Sequence, residues 1–267
     1  MLGPQRRTAI VTEVRRRGGV RVSELAVALG VSDMTVRRDV EALVGQGLLT
    51  RVHGGVLPVD TAVDEPAFAA KRVLQAALKT AIARAAAALV PPGAAVGISA
   101  GTTTAALAQE LTEVHNLTVV TNSVAVSDVL HRAGNDSHTV LLTGGIRTRS
   151  DALVGPAAAA MVAGLNLDLL FLGVHGMAER GGFTTPNHAE AQTNQALVGA
   201  ARRVVVLADH TKWGVVGIAT IIGLADAHVL VTDTGLDAPA LRRLRSHVGE
   251  IITVEPSGPS EQTGVDS

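Results

Sequence analysis

Apolar residues recur at helical spacing through the first part of the chain and then give way to short continuous apolar runs, so the sequence divides by period. Residues 4–17, PQRRTAIVTEVRRR, set Ile10, Val11 and Val14 on one face and five arginines elsewhere, which predicts a helix. Gly18-Gly19 breaks it, Val20 to Val22 is short and extended, and Ser23 is placed to cap a second helix, SELAVALG, with Leu25, Ala26 and Leu29 inward and Gly30 closing it. Val31, Val36, Val40, Leu43 and Val44 define the apolar face of a third helix. Ser32 or Asp33 is its N-cap, and Gly45 and Gly47 supply flexible backbone where it stops. Two helices joined by the turn from Gly30 to Ser32 make a helix-turn-helix. Leu48, Leu49, Arg51, Val52 and His53 with a Gly54-Gly55 turn follow as a short wing.

The period then changes. LPVDTAVDE, Leu57 to Glu65, is polar and proline-punctuated as a linker is, and an Ala-rich segment from Pro66 to Leu89 predicts one long helix with Val73, Leu74, Ala77, Leu78, Ile82 and Leu89 at helical intervals. Beyond Pro91-Pro92-Gly93, the runs AVGI, LTVVT, TVLLTG, DLLFLG, RVVVLAD and HVLVTD are apolar nearly throughout, as strands buried on both faces are. Helix-length segments, Thr103 to Leu111, Val124 to Arg132 and Ala189 to Ala200, lie between them, and GGFTTPN reads as a turn. This alternation predicts an α/β domain with a mostly parallel sheet. The division expected is a winged helix over 1–57, a linker over 58–65, the larger α/β domain over 66–254 and a disordered tail over 255–267, where apolar content runs out.

Composition narrows the chemistry. Of 267 residues, 47% are hydrophobic but only 1% aromatic, so the core is aliphatic and base-stacking platforms are disfavoured. Cysteine is absent, which excludes disulfides, thiolate metal sites and cysteine nucleophiles. No signal-peptide pattern or membrane-length apolar run is present, so a cytoplasmic protein without membrane attachment is expected. The net charge of −1 conceals an asymmetry. Residues 1–57 hold nine Arg against five Asp or Glu, the rest 14 Lys or Arg against 19, so the small module is the one that faces phosphate backbones. No metal-ligand spacing occurs among the histidines, and no cofactor is expected.

For double-stranded DNA the candidate residues are Ser32, Thr35, Arg37 and Arg38 on the third helix and Arg51 and His53 in the wing. An arginine binds guanine through two hydrogen bonds or grips a phosphate, and the wing residues suit the backbone. His53 can instead satisfy the turn, and Arg15 to Arg17 reads equally as the cationic end of a helix. The run VS-x-x-TVRRDV with Leu43, Gly47, Leu48 and RVHGG resembles the N-terminal winged helix of DeoR-type bacterial transcriptional regulators. The resemblance implies that the third helix enters the major groove of an operator.

In an open parallel sheet, ligands gather beyond the carboxyl ends of the strands. Ser99-Ala100-Gly101-Thr102-Thr103-Thr104 follows AVGI, Thr121-Asn122-Ser123 follows LTVV, Gly144-Gly145 with Arg147 follows TVLLT, Val174-His175-Gly176 follows DLLFLG, and Asp209, His210 and Lys212 follow VVVLA. Free amides at a helix start favour a phosphate. The same order of motifs resembles the sensor domain of the DeoR family, whose fold is similar to that of ribose 5-phosphate isomerase and of CoA-transferases. What this implies is a site for a phosphorylated sugar or related metabolite at Ser99, Gly101, Thr102, Thr103, Thr121, Asn122, Ser123, Gly144, Gly145, Arg147, Asp209 and Lys212. The chain departs from the family pattern at Ser99, commonly aspartate, and at Asn194, often lysine. The leading expectation is a homo-oligomeric (dimeric or tetrameric) repressor of carbohydrate-metabolism genes. The alternatives are an isomerase-like enzyme using Glu190, Asp209 and Lys212, and a DNA-binding protein whose larger domain only oligomerises.

Overall fold

A computed structural model describes residues 3–17, 20–52, 55–58, 68, 72 and 74–255. The expected break at Gly18-Gly19, the wing turn with His53, the linker from residue 59 and the tail from residue 256 lie outside the described residues.

The N-terminal module runs α1 (Gly3–Arg17), β1 (Val20–Arg21), α2 (Val22–Leu29), α3 (Asp33–Gly45), β2 (Leu49–Val52) and β3 (Gly55–Pro58). Its three strands form an antiparallel sheet in the order β1-β3-β2. Ile10 and Val14 of α1, Leu25 of α2, Val36 and Leu43 of α3, and Leu48, Leu49 and Val56 of the sheet close one aliphatic core. Gly30 ends α2 in the left-handed conformation at φ 62°, donating its N–H back to Ala26 and Val27, which makes the tight turn into α3. Ser32, rather than Asp33, caps α3, its hydroxyl accepting from the Thr35 N–H. Ser23 does not cap α2: the cap is Arg21, two residues earlier, because β1 pairs with β3 up to Arg21 and the chain turns into the helix directly.

In the larger domain the first helix with described bounds is α4 (Ala76–Ala87). The single long helix expected from Pro66 is interrupted at Gln75, which takes a left-handed backbone at φ 53°, and α4 begins behind it. The buried face is therefore Lys79, Ile82, Ala83 and Ala86, with Ala77 exposed and Leu78 half-buried. There follow β4 (Ala95–Ile98), α5 (Thr102–Glu110), β5 (Thr118–Thr121), α6 (Val124–Ala133), β6 (Thr139–Leu142), the hairpin β7 (Ile146–Arg147) and β8 (Leu153–Val154), and α7 (Pro156–Val162). After these come β9 (Leu167–Gly173), β10 (Gly176–Ala178), β11 (Gly182–Thr185), α8 (His188–Ala200), β12 (Ala201–Leu207), β13 (Ala219–Ile222), β14 (Val229–Asp233), α9 (Ala238–Arg245) and β15 (Glu250–Val254).

Seven strands make an all-parallel sheet in the order β15-β14-β12-β9-β4-β5-β6. All six apolar runs lie in it. Alternate residues serve opposite faces: Val205 and Leu207 of β12 join α4 and α5 in one cluster, and Val204 and Val206 join α8 and α9 in the other. GGFTTPN is not a turn: Gly182–Thr185 is a fully buried strand between β10 and β13 in a small antiparallel sheet. Its glycines and threonines hid it from an apolar-run criterion.

Candidate functional site

Two faces of the molecule hold the sequence candidates. On the winged helix, Ser32, Arg37, Arg38 and Arg51 are exposed and Thr35 is half-buried. The helical period explains the division within Arg37-Arg38-Asp39: two residues point out and the third is buried, 8% exposed, where its carboxylate pairs with Arg6 of α1 at 2.5 Å. Asp39 thus fastens α3 to α1, a role hidden from the sequence by the 33-residue separation. Arg51 of β2 pairs with Glu41 of α3 at 3.3 Å, which holds wing and helix together on one side. Arg17 pairs with Glu13 and Glu24, so that end of the arginine cluster is internal to the module.

In the larger domain, the chain adds strands outward from β4 through β5 to β6, then returns to the other side of β4 with β9 and continues through β12, β14 and β15. The topological switch point therefore lies between β4 and β9, the place in an open parallel sheet beyond whose strand ends ligands gather. Ser99 and Gly101 flank it on one side and Gly173 on the other. The Ser99 hydroxyl, fully buried, accepts from the Gly173 N–H at 2.9 Å. Thr104 donates to the Gly101 carbonyl at 3.0 Å; the first N–H groups of α5 have no intrahelical acceptor, as in any helix, and Gly101 offers them no side-chain cap.

The next loop is knitted to this one. Asn122, 1% exposed, accepts from the Ala100 N–H at 2.9 Å and donates to the Leu153 carbonyl at 3.2 Å. It thereby ties the loops after β4 and β5 to β8. Thr121 donates to the Ile98 carbonyl at 2.6 Å, and Ser123 caps α6 by accepting from Val126. Gly145 has φ 111° and lies so close to the Val154 carbonyl that a Cβ would sit 2.5 Å from its oxygen, so only glycine fits. Thr102 is half-buried, Thr103 buried, and Gly144 exposed. Arg147 is exposed and paired with Asp151 at 2.9 Å. Asp209 is buried and accepts from the Thr211 N–H and hydroxyl, capping the turn that carries Lys212.

The structure thus brings Ser99, Gly101, Asn122 and Gly173 together at the switch point, with Gly144 and Gly145 flanking beyond β6 and Asp209 and Lys212 beyond β12. Thr121, Ser123 and Asp209 spend their side chains on the frame. The sequence reading did not single out Gly173, and it named Glu190 without its partners: the buried carboxylate accepts from Thr148, Ser150 and Thr185. Asn194, one turn on, keeps a buried Oδ1 without a hydrogen-bond partner.

His210 and Asp233 form a further polar pair at this edge. One Asp233 oxygen meets His210 Nδ1 at 2.7 Å and the other accepts from the His210 N–H at 2.7 Å. The hydrogen bond to Asp233, opposed by burial and helped by the charges of Asp233 and Asp209, raises the imidazole above its ordinary 6.5. Burial pushes Asp233 up, but the bonds from His210 and the Gly235 N–H outweigh it and hold the carboxyl below 3.8. The histidine contribution is complete below 6.5 and fades as pH rises through the raised value; the aspartate contribution is complete above 3.8 and fades as pH falls through the lowered one. Differential scanning calorimetry of His210→Gln is therefore expected to show its largest loss of melting temperature between those two values and a shrinking loss toward alkaline pH. A loss that grows with pH contradicts the pairing.

Comparison with known proteins agrees with this two-part arrangement. Residues 6–62 match the DeoR-like helix-turn-helix domain, and residues 74–234 match the DeoR C-terminal sensor domain. The HTH-type transcriptional regulator GlpR of Haloferax volcanii is 36% identical over 92% of this chain and 96% of its own. The glycerol-3-phosphate regulon repressor of Escherichia coli is 29% identical over 91% of this chain and 96% of its own. Among solved structures, ribose 5-phosphate isomerase A of Methanocaldococcus jannaschii aligns at a TM-score of 0.38 and 18% identity, over 51% of this chain and 53% of that one. No described helix is long and apolar enough to cross a membrane.

Proposed function

Because the chain belongs to the DeoR family of transcriptional regulators, with both its helix-turn-helix and its sensor domain, we propose that it is a repressor of carbohydrate-metabolism genes whose operator binding is modulated by a phosphorylated sugar or related metabolite. The observation that carries the small-molecule half is the helix start at the β4–β9 switch point, where Gly101 brings the first turn of α5, without a side-chain cap, to the strand ends. Backbone N–H groups at a helix start, with the helix dipole behind them, favour a phosphate. Thr102 and Thr103 lie in that turn, with Gly144 and Gly145 on one side and Lys212 on the other. The glycerol-3-phosphate regulon repressor among the relatives supports the same ligand class.

On the DNA side, Ser32, Thr35, Arg37 and Arg38 contact the major groove, and Arg51, with His53, contacts the backbone. The chain acts as a homo-oligomer, since two winged helices on paired half-sites multiply affinity by linkage. Effector and operator are coupled reciprocally: a metabolite that weakens operator binding binds the operator complex less tightly by the same factor.

Thermal unfolding in a panel of sugar and polyol phosphates tests the ligand half. The cognate compound at a hundredfold excess over its dissociation constant is expected to stabilise the chain by about 2.7 kcal/mol. The unphosphorylated sugars should give no comparable shift. Equal shifts with and without the phosphate would remove the helix-terminus argument.

A further inference from the structure

Between its two domains the chain makes an unusual pair of anchorages. Phe68 is buried in the aliphatic core of the larger domain, against the face that carries α4 and α5. Leu74, six residues later, packs instead against the core of the winged helix. The next residue, Gln75, has the left-handed backbone, and α4 begins immediately behind it. Lys79, in the first turns of α4, is only 6% exposed and its Nζ donates to the Leu74 carbonyl at 2.6 Å.

Lys79 lies near the N-terminus of α4. A cation near a helix N-terminus opposes the helix dipole, and an ammonium taken out of water needs compensating bonds. Its bond to Leu74 reaches back across the turn, to the residue whose side chain sits on the other domain. We propose that Lys79 is a positioning residue for DNA binding: by clamping the Leu74 carbonyl it holds the Leu74 side chain on the winged-helix core and so fixes the winged helix on the sensor domain. The same buried face of α4 continues the connection one and two turns on. Ile82, Ala83 and Ala86 pack in one cluster with Leu107, Ala108 and Leu111 of the α5 segment, and Arg84 pairs with Glu110 at 3.4 Å. The first turn of α5 is the Gly101–Thr104 loop, so the loop at the switch point and the seat of the winged helix are the two ends of one pair of packed helices.

The inference stands whether or not the effector is a phosphorylated sugar, because it concerns the attachment of one domain to the other. Backbone 15N relaxation of the full-length protein, without ligand, tests it. Amides of α2 and α3 are expected to tumble with the same correlation time as amides of the central sheet. In Lys79→Met, and equally in Leu74→Ala, the winged-helix correlation time should fall severalfold while that of the sheet is unchanged. Lys79→Arg, which keeps a cationic donor, should restore common tumbling. The Lys79→Met protein should also bind an operator duplex selected from a random library with less discrimination between half-site spacings than wild type. Common tumbling retained in both folded variants overturns the proposal. So does a loss of sheet stability in Lys79→Met that leaves the winged helix tumbling with the sheet, because that is the result of a purely structural lysine. If Lys79→Met does not fold, the Leu74→Ala result decides.

Discussion

Alanine at Arg37 or Arg38 is expected to weaken operator binding by about 1–3 kcal/mol for a side chain that reads a base, roughly a 5- to 150-fold rise in dissociation constant. Both arginines are exposed on α3, the helix that the tight turn at Gly30 presents beside α2, while Asp39 is turned inward onto Arg6. Neither substitution removes a core contact, so the folded chain should survive and the loss is read as binding. Titration against the operator and single-base variants separates the two roles. A base-reading arginine loses discrimination at one position. A phosphate-gripping arginine loses affinity uniformly and reduces the salt slope by about one. Unchanged affinity in both variants would remove α3 as the DNA-facing element.

The second large effect is expected at Asn122. Its side chain is the only one described that joins a loop N–H after β4 to a carbonyl of β8, and it is almost entirely buried. Alanine there leaves the Ala100 N–H and the Leu153 carbonyl without partners. An unsatisfied buried polar group costs about 1–3 kcal/mol, and the half-exposure of Ala100 lets water recover part of it, so a total of about 2–4 kcal/mol is expected. In a chain of this size that lowers the melting temperature by roughly 5–10 °C. Any ligand-induced thermal shift should vanish with it, since the loops no longer share a frame. Asn122→Asp is the sharper variant: it keeps the acceptor for Ala100 and places a carboxylate oxygen against the Leu153 carbonyl. Stability equal to wild type in both variants would show that the loops hold without this bridge.

The elements that the sequence made legible are those whose burial is two-sided or strongly periodic. AVGI, DLLFLG and VVVL are continuous apolar runs because helices cover both faces of the sheet, and the winged helix is legible from Val36, Val40 and Leu43 at helical spacing. The strand Glu250–Val254 at the sheet edge is half-exposed, so it lacks that signature. The strand Gly182–Thr185 is buried yet built from glycine, phenylalanine and threonine, with Thr184 donating to the Gly176 carbonyl. The interruption at Gln75 was invisible because no glycine or proline marks it. At the candidate site the loops were legible as small-residue turns feeding helices, but the roles within them were not. A threonine that binds Ile98, a serine that caps α6 and an aspartate that caps its own turn look, in sequence, like ligand donors. The same holds for Asp39 and Lys79, whose partners depend on tertiary placement.

The turn after Lys212 carries a last consequence. Trp213 is partly buried against the cluster that holds Leu172 and Met177, and its backbone bridges Met177. The chain has one tryptophan and no tyrosine. Its ultraviolet emission therefore comes almost wholly from a single ring at the carboxyl edge of the sheet, so a ligand bound at that edge can be followed by intrinsic fluorescence without a label.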